Sequence, residues 1–152
     1  MSILAIFALI GSTATPPFDL ANHTVVATFH AQGDQVYECK AGSAGLTWTY
    51  REPIAALFED GKTVGRHFAG PRWELDDGSL IKAKVAQSLP APNPADIAWL
   101  KVDVVQNSGA GRLAQVITAY RLNTHAGMLT GVCATPGELR LAPYSADYVF
   151  AR

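Results

Sequence analysis

The stretch from Lys62 to Val85, KTVGRHFAGPRWELDDGSLIKAKV, decides the fold. Its apolar and polar residues alternate with a period of two, and its turn residues recur at short intervals, so it reads as successive antiparallel hairpins. At Asp76-Asp77-Gly78 a two-residue turn would set Trp73 against Lys82. A three-residue loop with Gly78 left-handed sets Trp73 against Ile81 instead. That register sends Ile81, Ala83 and Val85 to one face and Lys82 and Lys84 to the other, so the alternation selects it. Just upstream, Asp60-Gly61 forms a two-residue turn that places Glu59 opposite Lys62 and Leu57 opposite Val64. Gly70-Pro71 marks a third tip. With an even loop there, Phe68 opposes Trp73 in the core and His67 opposes Glu74 on the other face.

The same pattern runs outward in both directions. Strands are expected near 24–30, 35–40, 46–51, 55–59, 62–68, 72–76, 80–87, 97–106, 113–123 and 146–151. One helical turn is a candidate at Pro53–Leu57. Segment 88–96, with three prolines, reads as a loop or an extended polyproline stretch, and 107–111 and 124–131 as further connections. The fold class is therefore all-β: a single antiparallel β-barrel or two-sheet β-sandwich of about nine or ten strands over residues 15–152.

Composition narrows the class further. The chain has 152 residues, 49% hydrophobic and only 16% charged, against roughly 25% charged in ordinary soluble domains. A formal charge of −1 excludes a nucleic-acid binder, which needs clustered Lys and Arg to neutralise phosphates. No apolar run reaches the roughly 18 residues of an integral membrane span. Residues 1–14, MSILAIFALIGSTA, carry no charge and end in small residues, as expected of a signal peptide and hence of a secreted or periplasmic protein; a buried strand or helix is the alternative. Cys39 and Cys133 are the two cysteines, with no C-x-x-C spacing. In an exported chain they would close one disulfide, and otherwise they would be two separate buried thiols.

Candidate functional residues cluster in the opening stretch. A cross-strand pair of His67 and Glu74 could shuttle protons near neutral pH, because imidazole titrates at about 6.5 and a carboxylate orients it. The plainer alternative places Glu74 in a solvated charge ladder with Lys82 and Lys84. Trp48, Trp73 and Trp99, with Tyr37, Tyr50, Tyr120, Tyr144 and Tyr148, form either a packed core or the wall of an apolar pocket. Tyr37, His67, Trp73 and Glu74 are the candidate ligand-binding residues. His23, His30, His67 and His125 have no metal-ligand spacing, and no cofactor fingerprint is present, so neither a metal nor a cofactor is expected. Oligomeric state leaves no mark in the sequence.

The run Gly65-Arg66-His67-Phe68-Ala69-Gly70-Pro71-Arg72-Trp73-Glu74 resembles the family catalogued as domain of unknown function 3455, exported bacterial and fungal proteins. Further matching pieces are Gln35–Cys39, Asp77–Ser79, Ile97–Leu100, Arg121–Thr124, Cys133 and Tyr144–Phe150, covering roughly 33–150 in order. After Asn123-Thr124 the family tends to run Gly-Gly and then proline, whereas this chain has His125-Ala126-Gly127-Met128-Leu129. The resemblance implies export, a compact β fold and paired cysteines, and it carries no catalytic residue over. Three functions stay open. The chain is an exported module binding a small, partly apolar ligand, a cofactor-independent enzyme using His67 with Glu74 or Asp77, or a surface-interaction protein without a pocket.

Overall fold

The computed structural model describes residues 16–152; the expected signal peptide at 1–14 lies outside them. Eight antiparallel strands are present among the described residues: β1 (Val25–Gly42), β2 (Gly45–Glu59), β3 (Lys62–Phe68), β4 (Arg72–Leu75), β5 (Leu80–Leu89), β6 (Trp99–Ser108), β7 (Thr118–Ala126) and β8 (Leu139–Ala151). Each pairs with the next in sequence, and β1 pairs with β8, so the sheet closes as an up-and-down barrel. Among the described residues no helix is long and apolar enough to cross a membrane.

Eight strands replace the expected nine or ten because two expected breaks are continuous. Segments 24–30 and 35–40 join as β1 through Gly33, whose missing side chain lets the backbone lie against the Ile54 carbonyl. Segments 46–51 and 55–59 join as β2, and the expected helical turn at Pro53–Leu57 is extended strand. Pro53 lies beyond the last β2–β3 pair, Ala55 with His67, an edge position that proline tolerates. Leu113 and Val116, expected in a strand, precede β7 instead. Both are fully buried, and the Asn107 amide donates to their carbonyls at 3.0 Å each. They stopper one end of the barrel, which is why both sides of that segment read as apolar.

The hairpins follow turn chemistry in two places and depart from it in one. Gly78 is left-handed (φ +85°) and Trp73 opposes Ile81, as the alternation requires. Asp60 and Gly61 both have positive φ, and Glu59 opposes Lys62. Leu57 does not oppose Val64, however: a bulge after it sets Leu57 against Gly65. At the third tip the connection is Ala69-Gly70-Pro71, odd rather than even, with a cis Gly70–Pro71 peptide. One residue of loop length reverses the facing of β3 relative to β4. His67 therefore opposes Trp73, Phe68 opposes Arg72, and Arg66 opposes Glu74.

The interior divides into two halves. Near the stopper, Phe29, Leu57, Ile81 and Phe150 are fully buried and fill the barrel. The other half is hollow. A second, smaller cluster lies outside the wall, where Tyr120, Leu122 and Val149 pack under Phe18 and Leu20 of the N-terminal segment. Asp19 fastens that segment, accepting from Lys101 at 2.6 Å and from the Tyr120 hydroxyl at 2.7 Å. The Lys101 ammonium, with Tyr120, holds the Asp19 carboxyl well below the usual carboxylate range.

Candidate functional site

The hollow half is a cavity of about 580 Å3, opening at the end of the barrel away from the stopper. Its floor is aromatic because β3, β4 and β8 each turn a ring inward at the same level. The His67 imidazole stacks on the Trp73 indole at 4.2 Å and 11°, and Tyr148 leans on both at 4.9 and 5.4 Å. On the mouth side of Tyr148, the Tyr144 and Tyr148 hydroxyls lie 3.2 Å apart. Val85, Ile97, Leu100, Val102 and Met128 supply aliphatic wall. Val85 follows Ile81 and Ala83 on the inward face, yet stays 54% exposed because it reaches the open rim.

Polar groups in this wall are few and specific. The Nδ1 atom of His67 lies 2.8 Å from the Arg72 carbonyl. A carbonyl can only accept, so Nδ1 carries the proton and Nε2 is a lone-pair acceptor. Burial is the main cause that lowers the His67 pKa to about 3, with the Arg121 charge adding to it, so the ring is neutral at ordinary pH. Two other lining side chains, Gln35 and Trp73, bury an N–H donor that has no partner, Nε2 and Nε1 respectively. The third such donor, Trp99 Nε1, belongs to a side chain packed with the outer cluster. A buried donor left unpaired costs about 1–3 kcal/mol.

The rim is held by backbone. The Tyr37 hydroxyl donates to the Gly127 carbonyl at 2.7 Å. Gly127 has φ +87°, and a Cβ there would press on Tyr144, Ile97 and Gln35. Asp96 accepts from the Ala126 amide and the Ile97 amide donates back to the Ala126 carbonyl, clasping the β5–β6 and β7–β8 connections together. The His125–Leu129 run thus forms one lip of the mouth. The disulfide between Cys39 and Cys133 fastens the rest of that connection to β1.

A family model described as "Protein of unknown function (DUF3455)" matches residues 20–152. The chain belongs to this family. No curated protein and no solved structure matches it. In this DUF3455 chain the Gly65–Glu74 run is the β3–β4 hairpin that lays the cavity floor, and Gln35–Cys39 supplies Gln35 and Tyr37 to its wall.

Of the residues singled out from sequence, Tyr37, His67 and Trp73 line the cavity. Glu74 does not: it sits on the outer face and pairs with Arg66 at 3.3 Å. The expected His67–Glu74 pair therefore does not form, for the loop-length reason given above. Asp77 is engaged elsewhere, accepting from the Ser79 amide, the Ser79 hydroxyl and the Arg112 amide. Trp48 is not part of the lining: it lies beneath the Arg140 guanidinium, on the same face of the sheet as Tyr37 and Tyr50, and Trp99 lies outside in the smaller cluster. Among the described residues, no three His, Cys, Asp or Glu side chains converge as metal ligands would. Sequence reasoning missed Gln35 and Arg121. In β7 the polarity pattern points Tyr120 and Leu122 inward and Arg121 out, and the structure reverses it, because the N-terminal segment covers Tyr120 and Leu122 from outside.

Proposed function

We propose that this is an exported β-barrel protein that binds a small, partly apolar ligand in the open half of its barrel. One observation carries the reading: a cavity of about 580 Å3, open at one end of the barrel, with an aromatic floor and a mostly apolar wall. That volume lies within the roughly 300–1,000 Å3 of small-molecule sites, and a mostly apolar wall with a few placed polar groups is their usual chemistry. A core that existed only for stability would fill this space, as the stoppered half does. A disulfide suits an oxidising compartment, consistent with export.

The neutral apolar fluorophore N-phenyl-1-naphthylamine tests the binding. It should brighten on mixing with the protein, and Val85→Trp, which fills the mouth from the rim, should abolish the brightening with the melting temperature unchanged. Undiminished brightening in a folded Val85→Trp variant would place the dye elsewhere and remove the reading's support. Export is tested by mass analysis of secreted material. Its N-terminus should fall after residue 14, and material starting at Met1 would contradict processing there.

A further inference from the structure

We propose that the ligand carries a carboxylate, held by Arg121, so that the cavity selects small hydrophobic monocarboxylic acids. This rests on the ligand-binding reading above and specifies the ligand's chemistry. Arg121 shares the inward face of β7 with Ala119 and lines the cavity. Its Nε donates to the Ala98 carbonyl at 2.9 Å, which anchors the side chain by one edge of the guanidinium. The two other charged groups on the lining, Arg51 and Glu52, pair with each other at 3.4 Å. No carboxylate among the described residues comes within ion-pair distance of Arg121. The wall therefore presents one uncompensated positive charge amid apolar surface.

A half-buried guanidinium without a counterion is an unstable arrangement that an incoming anion corrects. Its planar fork matches a carboxylate, two N–H donors to two oxygens. The buried His67 ring, which feels the Arg121 charge, is neutral and supplies no counterion. One cation and a mostly aliphatic and aromatic wall suit a monoanion with an apolar body, and disfavour a cation or a dianionic phosphate.

Calorimetric titration of the full, disulfide-intact chain at pH 7 tests this with matched pairs: hexanoate and hexanamide, octanoate and octanamide, 2-naphthoate and 2-naphthamide. In at least one pair the acid should bind about tenfold or more tighter than its amide. Arg121→Gln should bring that ratio to about one, while Arg121→Lys, which keeps the charge, should retain most of it. Equal binding of acid and amide by the wild type, or an acid preference that survives Arg121→Gln, overturns the carboxylate proposal and leaves the cavity reading standing. Failure of every acid and every amide to bind overturns the cavity reading and this proposal with it.

Discussion

His67 is neutral because burial outweighs the one neighbour that favours a second proton. The groups facing it are the Trp73 indole, the Tyr148 phenol, the Arg72 carbonyl and the cationic Arg121, and among these only the carbonyl favours the charged ring. Its folded pKa of about 3 lies below the ordinary 6.5. Below 6.5 the unfolded chain takes up a proton that the folded chain refuses, so stability falls as pH falls, by up to about 1.4 kcal/mol per unit. Between pH 6.5 and 4.5, urea unfolding should show the wild type losing about 2 kcal/mol more than His67→Gln. Parallel losses in the two proteins would contradict a buried neutral imidazole. The sequence made His67 conspicuous but not its facing, since that depends on one residue of loop length at Ala69–Pro71. Arg121 was hidden for a related reason. Polarity separates inside from outside only where a single face is buried, and here the N-terminal segment buries part of the outer face as well.

At the scale of elements, the β4–β5 turn and the stopper behave as one unit. Asp77 caps its own turn through Ser79 and reaches the Arg112 amide, while Ser79 Oγ accepts from the Leu113 amide at 3.2 Å. Arg112 adds a bidentate pair to Glu59 at 2.8 and 3.0 Å and lies over the Phe29 ring. The Glu59 carboxyl is held below its usual range by Arg112, and that of Asp77 by Ser79 first and then Arg112. Asp77→Ala should cost about 1–3 kcal/mol in urea unfolding and speed hydrogen exchange at residues 109–117, with dye binding at the far end intact. Exchange unchanged in that segment would contradict the coupling. Gly65→Ala should be costlier, because its Cβ would collide with the Glu74 carbonyl across the β3–β4 pair. The turn at Gly78 was legible because only one register satisfies both the left-handed residue and the alternation. The tip at Gly70 was not, because two registers place an aromatic residue opposite another ring.

At the scale of the whole molecule, closing the sheet removes both edges, and unequal filling of the interior gives the barrel a solid half and an open half. All-β topology could be read from the two-residue period, but closure could not, since it rests on β1 pairing with β8 from opposite ends of the chain. The disulfide joins Cys39 to Cys133 across 94 positions, far along the same chain. Replacing both cysteines by serine should cost about 2–5 kcal/mol of stability and loosen the mouth more than the stoppered end, as read by hydrogen exchange. The central claim is that the open half is a binding cavity, and the three tryptophans report on it separately. Trp73 forms its floor, Trp99 lies outside the barrel, and Trp48 is not part of the lining. Following the three indole N–H signals by NMR during titration with 2-naphthoate is therefore the most direct measurement. The account predicts that the Trp73 signal moves and saturates while that of Trp99 holds still. A stationary Trp73 signal, or three signals moving together, would contradict it.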